Sequence, residues 1–129
     1  SGSSTFTYYV NGSSVGTSVK AVGITFAFST AGGNGDSLLQ VGRYNTGYYA
    51  NILLDEIAIF TSALDATAVS GIYNGGTPDD LSSLSPRNWY RMGDGTEAGS
   101  GTTVYDMGSS AGTTTDMTLV NAVYSSDVP

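Results

Sequence analysis

The stretch LLDEIAIF, residues Leu53 to Phe60, is the most apolar short run of the chain, and it carries two adjacent carboxylates. Its apolar, β-branched content predicts a buried strand. The preceding TGYYAN is typical of a turn, so we expect one long strand that leaves this turn and ends at Phe60. Two acids inside such a strand are either a catalytic pair or a structural feature, and the choice separates an enzyme from a non-enzyme.

Strand patterns continue on both sides of this run. The segment TFTYYVNGSSVGTS predicts a β-hairpin, because Phe6, Tyr8 and Val10 alternate and Asn11-Gly12 is a strong two-residue turn signal. Further strands are predicted within 21–30, 37–45, 87–94, 102–108 and 117–120. About seven or eight short strands at regular spacing are typical of an antiparallel β-sandwich.

One segment has helical rather than strand spacing. The sequence LDATAVSGIYNGG predicts a single short helix near residues 65–74. Asp65 is a suitable N-cap, and Leu64 before it and Val69 after it can form a hydrophobic staple. An Asn-Gly-Gly run and a proline then end the helix.

The composition disfavours several classes of partner and chemistry. The chain has 129 residues, a net charge of −7 and only four basic residues, so nucleic acid and anionic membranes are poor partners. No apolar run approaches the roughly 20 residues that a membrane span needs. The absence of Cys excludes disulfides, and the absence of His removes any Ser-His-Asp triad. The length favours one domain over 1–129.

Five motifs in the first two-thirds of the chain carry a family resemblance. They are Tyr9-Val10-Asn11-Gly12, Val41-Gly42-Arg43, Tyr48-Tyr49, Leu54-Asp55-Glu56-Ile57-Ala58-Ile59-Phe60 and Ile72-Tyr73-Asn74. Their order and spacing are similar to those of the C-terminal half of a laminin-G-like domain, of the concanavalin A-like lectin/glucanase superfamily. The resemblance covers residues 1–80 and implies a jelly-roll-like sandwich.

The remaining part of the chain, residues 87–129, resembles the opening strands of such a domain, so the two halves stand in reversed order. Three arrangements fit this order: a permuted sandwich that closes on itself, a piece of a tandem array with a half-domain at each end, and a chain whose C-terminal strands enter the next subunit. The opening and the SSDVP ending also resemble repeats of marine bacteriophage structural proteins, by association alone.

The two acids of the opening stretch cannot form a glycosidase dyad. Retaining glycosidases need two carboxyl groups about 5–5.5 Å apart on one side of the sugar. Asp55 and Glu56 are neighbours, and neighbours on a strand point to opposite faces. We therefore expect Asp55 to be a structural anchor held by backbone or hydroxyl donors, with Arg43 or Arg91 as its candidate partner, and Glu56 to face the more exposed side. Trp89 is likewise expected to be structural.

An aromatic patch is the best candidate for ligand contact. Around the turn GRYNTGYYAN, tyrosine faces suit stacking on sugars, and Asn or Arg can fix sugar hydroxyls. The alternative is that these tyrosines pack at a sheet edge because the side chain is amphipathic. The candidate carbohydrate-binding residues are Arg43, Tyr44, Asn45, Tyr48 and Tyr49.

Acidic loops supply hard oxygen ligands, and some laminin-G-like domains hold Ca²⁺. The candidate Ca²⁺ ligands are Asp94 and Asp106. The alternative is that these acids are turn residues, because Asp is common in turns and the EF-hand spacing is absent. No other cofactor is indicated.

These observations favour a non-catalytic module, outside the cell or on a virion surface, with a structural or adhesive role and lectin-like carbohydrate contact. One alternative is a purely architectural subunit of a phage capsid, tail or filament that associates with copies of itself or with other subunits. A glycan-active enzyme is the rival class, and the missing His and the missing same-face acid pair disfavour it.

Overall fold

The structure is a computed structural model that describes residues 3–21, 41–44, 48–92, 99–111 and 115–124. The strand expected over 21–30 and the first part of the one over 37–45 lie outside these residues, apart from Ala21. The chain divides into two compact units. One comprises Ser1–Tyr8 and Gly16–Ile52, and the other comprises Tyr9–Val15 and Leu53–Pro129.

The predicted hairpin at the start of the chain is confirmed. Strand β1 (Ser3–Val10) pairs with β2 (Ser13–Ala21), and the residues between them have φ angles of 50° at Asn11 and 70° at Gly12. Positive φ at both central residues is what a type I′ hairpin turn requires, and Asn-Gly supplies it at low steric cost. A Cβ on Gly12 would lie 3.0 Å from Tyr73 Cβ, a tight contact that also favours glycine at this position.

The first unit contains a second, very short hairpin. Strand β3 (Arg43–Tyr44) pairs antiparallel with β4 (Tyr48–Tyr49). The hydrogen bond from Ala50 N to Gly42 O, at 2.8 Å, extends this pairing by one step.

The prediction of one long strand that ends at Phe60 is wrong over most of that length. Only β5 (Ile57–Ile59) is a strand, and residues 50–56 form no regular element. Glu56 has a φ of 48°, which is incompatible with extended backbone and ends the strand on its N-terminal side. Ile52, Leu53 and Leu54 before it are exposed rather than buried.

The short helix is confirmed. Helix α1 (Ala66–Tyr73) begins after Asp65, whose carboxylate accepts a hydrogen bond of 2.8 Å from Ala68 N. It ends at Asn74, which adopts the left-handed conformation, and a 3-10 turn (Asn74–Gly76) follows. A second 3-10 turn covers Ser82–Leu84.

The second unit is built around strand β6 (Asn88–Tyr90). It pairs antiparallel with β5, so that Ala58 lies opposite Trp89. A separate sheet has the order β7 (Gly99–Ser100), β8 (Thr103–Val104) and β9 (Met117–Thr118). The buried hydrophobic side chains of the described residues all belong to this unit, and they are Leu81, Trp89, Tyr90 and Val104.

The described part of the chain is therefore a set of small antiparallel strand pairs with one short helix, which agrees with the all-β expectation at this coarse level. None of the helices in this part has the length and apolar content that a membrane crossing needs.

Candidate functional site

The β3–β4 hairpin holds four of the five residues expected to contact carbohydrate. In its register Arg43 lies opposite Tyr49 and Tyr44 lies opposite Tyr48. The fifth residue, Asn45, lies outside the described residues. The five candidates are close in sequence, and the hairpin adds a defined pairing to that proximity.

The pairing divides the hairpin positions between two faces. Cross-strand partners lie on one face of a two-stranded ribbon, and adjacent residues on a strand point to opposite faces. Tyr48 and Tyr49 therefore belong to different faces and do not form one continuous platform. Tyr48 is 70% exposed and Tyr49 is 42% exposed, so Tyr48 is the more exposed of the two tyrosines.

A different set of residues forms the best-defined charged cluster in the described part of the chain. Glu56 Oε2 accepts a hydrogen bond of 2.5 Å from Trp89 Nε1, and Glu56 Oε1 accepts one of 3.0 Å from Arg91 Nε. The Arg91 guanidinium carbon lies 5.2 Å from the centre of the Trp89 ring, within range of a cation–π contact. The three side chains thus contact one another pairwise.

The structure places both acids of the opening stretch. Arg91, one of the two expected partners of Asp55, forms an ion pair with Glu56, and both acids are half-buried. The Asp55 carboxylate accepts a hydrogen bond of 3.0 Å from the Glu56 backbone N–H. Glu56 has a positive φ, so the alternation of side chains expected of a regular strand does not apply at this position.

Burial dominates the electrostatics of this cluster. Desolvation raises the pKa of Glu56 above its ordinary value of 4.5, although the hydrogen bonds from Trp89 and Arg91 act in the opposite direction. Both oxygens of this carboxylate already accept hydrogen bonds from protein donors. This arrangement suits a structural connection between β5 and β6.

Asp106 is a buried acid of the same unit. Its Oδ1 accepts hydrogen bonds from the backbone N–H groups of Trp89 and Gly108, each at 2.9 Å. Its Oδ2 accepts a hydrogen bond of 2.6 Å from Asn88 Nδ2. The Met107 N–H donates to Trp89 O at 2.7 Å, so residues 106–108 run along the edge of β6 opposite β5. At this edge the Asp106 carboxylate, rather than the backbone carbonyl of a neighbouring strand, accepts the hydrogen bond from the Trp89 N–H.

The other expected Ca²⁺ ligand, Asp94, lies outside the described residues. Within the residues that the structure describes, no group of three or more acidic, His or Cys side chains is arranged to hold a metal ion. The Ca²⁺ site stays a prediction, and the Asp106 oxygens are occupied by the three donors named above.

The contact between Glu56 and Trp89 was not expected from the sequence. One signal for part of the cluster was present, because Trp89 and Arg91 are two residues apart and so share a face of a strand. Nothing local to Glu56 indicated that the partner lay 33 residues away.

Comparison with models of known protein families, with curated proteins and with solved structures gives no match for this chain. The resemblance to laminin-G-like domains therefore stays a prediction based on the motifs themselves.

Proposed function

We propose that this protein is a non-catalytic module of an extracellular or virion surface that contacts carbohydrate through the β3–β4 hairpin. The observation that carries the proposal is the 70% exposure of Tyr48 in a strand with a fixed cross-strand partner. A tyrosine held in this way offers an apolar face with a polar hydroxyl at its edge, which suits a sugar ring.

The acids in the second unit support a non-catalytic role. Retaining glycoside hydrolysis needs two carboxyl groups that are both available to the sugar. The Glu56 carboxylate accepts hydrogen bonds from Trp89 and Arg91, and the Asp106 carboxylate accepts three others. These acids contribute to the packing of β6, and we assign the module a binding role.

The laminin-G-like sandwich remains part of the proposal. Strand β5 belongs to the part of the sequence that resembles the C-terminal half of such a domain, and β6 belongs to the part that resembles its opening. These two strands pair antiparallel in the second unit. This pairing supports the arrangement in which the reversed halves close within one chain.

A glycan array with matched tyrosine variants tests carbohydrate contact. We expect the wild-type protein to bind a subset of glycans, and we expect Tyr48→Ala to weaken that binding about tenfold or more, since an aromatic contact contributes on the order of 1.5 kcal/mol. Tyr105→Ala is the control, because Tyr105 is exposed and lies outside the hairpin. Absence of wild-type binding, or binding that survives Tyr48→Ala unchanged, contradicts the proposal.

An architectural subunit is the second candidate function, and the distribution of apolar side chains favours it. In the described part of the chain sixteen large hydrophobic side chains are exposed, whereas four hydrophobic side chains are buried. Extended exposed apolar surface is typical of proteins that associate. Light scattering coupled to size-exclusion chromatography tests this candidate, and a monomer at all concentrations contradicts it.

A further inference from the structure

We infer that the β1–β2 hairpin is the surface through which this chain associates with a second copy of itself. The inference rests on the architectural function proposed above and names the surface that would serve it. The hairpin is a regular two-stranded ribbon with apolar side chains on its surface. Four of them are more than half exposed, namely Tyr8 (52%), Val10 (56%), Val15 (62%) and Val19 (64%).

The charge distribution indicates that the partner is another copy. All eleven acids of the chain lie after Ala21, and no charged side chain occurs from Ser3 to Val19. Two copies that each carry a net charge of −7 repel each other wherever acidic surfaces meet. The hairpin strands offer a surface without carboxylates of their own for such an approach, and cores of protein interfaces are depleted of charge in the same way.

Apart from Lys20, the sequences of β1 and β2 also lack the charged and proline residues that discourage strands from associating. Natural edge strands carry charged side chains or proline that discourage pairing with another chain. Strands β1 and β2 contain no proline, and their charged residue, Lys20, stands one position from the end. A ribbon of this kind can pair with a strand of a second chain through main-chain hydrogen bonds while its apolar side chains pack across the contact.

The size of the ribbon limits the area of the contact. Strand β1 has eight residues and is roughly 27 Å long at the usual rise of a strand. A two-stranded ribbon of this length and roughly 10 Å width has a face of about 270 Å² per copy, which is small beside the roughly 800 Å² per partner of a standard interface. We therefore expect a dimer in exchange with its monomer at micromolar protein concentration, rather than a permanent dimer.

Sedimentation velocity over about a hundredfold range of protein concentration tests the inference. The variant Val10→Lys/Val15→Lys places like charges on both strands, and it should stay monomeric where the wild type dimerises, with at least a tenfold weaker association. Val123→Lys is the control, because Val123 is 88% exposed and lies outside the hairpin. It should dimerise like the wild type.

Disulfide trapping gives a second measurement that does not depend on adding charge. Because the chain has no cysteine, Val10→Cys introduces a single thiol at an exposed position. Mild oxidation should link Val10→Cys into dimers several times faster than Val123→Cys.

The outcomes separate the inference from the function on which it rests. A wild-type protein that stays monomeric overturns both. The inference is overturned if the wild type and the Val10→Lys/Val15→Lys variant associate equally well and Val10→Cys is linked no faster than Val123→Cys. The architectural function then stays in place.

Discussion

The Glu56 carboxylate accepts a hydrogen bond from the indole Nε1–H of Trp89, with 2.5 Å between the two atoms. The contact connects the residue just before β5 to the middle of β6. The Trp89 side chain is buried, and a buried indole N–H needs an acceptor. Glu56 supplies that acceptor from a backbone conformation with a φ of 48°. A residue other than glycine keeps such a conformation only when the surrounding structure holds it.

Removing this acceptor should destabilise the second unit. In Glu56→Ala the Trp89 indole N–H loses its partner inside the protein, at a cost of about 1–3 kcal/mol. Glu56→Gln keeps a carbonyl oxygen for the indole and should cost less. Urea unfolding of both variants, followed by Trp89 fluorescence, measures the difference. Equal stability of the alanine variant and the wild type would show that the hydrogen bond contributes nothing.

The raised pKa of Glu56 gives a pH dependence with a defined sign. Because desolvation raises the pKa of Glu56 in the folded protein above its ordinary value of 4.5, the folded state holds this proton more tightly than the unfolded state. The contribution of protonated Glu56 to stability is therefore fully present below pH 4.5 and is lost as the pH rises through the raised pKa.

Urea unfolding of the wild type and Glu56→Gln between about pH 4 and pH 7 isolates this effect, because the other carboxylates titrate in both proteins. The stability of the wild type relative to Glu56→Gln should fall as the pH rises. A difference that grows with pH would mean that the hydrogen bonds from Trp89 and Arg91, which lower the pKa, outweigh desolvation.

The parts of the fold that follow local rules could be predicted from the sequence, and the parts that depend on distant residues could not. The Asn11-Gly12 turn and the Asp65 cap each depend on residues within four positions. The exposed segment before β5 could not be predicted, because the positive φ of Glu56 is maintained by contacts with Trp89 and Arg91. The hairpin around Tyr48 was expected as a ligand site, but its division into two faces required the strand register.

Asp106 should be more important for stability than any exposed acid. Asp106→Ala removes the acceptor of two backbone N–H groups, from Trp89 and Gly108, at a cost of about 3 kcal/mol in total. Asp106→Asn retains one oxygen and should lose less. Asp79→Ala is the control, because Asp79 is exposed and its carboxylate accepts only a local backbone N–H among the hydrogen bonds described. Thermal unfolding compares the variants, and a similar loss in the Asp79 and Asp106 alanine variants contradicts the assignment.

Gly108 should be intolerant of even the smallest side chain. A Cβ at this position would lie 2.6 Å from Asn88 Cα and would overlap the Arg87 carbonyl group, and both obstacles are backbone atoms that cannot rotate away. Alanine therefore has to displace residues 106–108 from the edge of β6, which breaks the hydrogen bonds that Asp106 accepts. We expect Gly108→Ala to cost about 3 kcal/mol or more, in the range of other severe backbone effects.

Gly71 provides the matched control for this substitution. It lies inside helix α1, and an added Cβ there would meet nothing within 4 Å. Alanine is the better helix former by about 1 kcal/mol, so Gly71→Ala should stabilise the protein slightly. Urea unfolding of the two alanine variants should give changes of opposite sign. A Gly108→Ala protein as stable as the wild type would mean that residues 106–108 do not pack against β6 as closely as described.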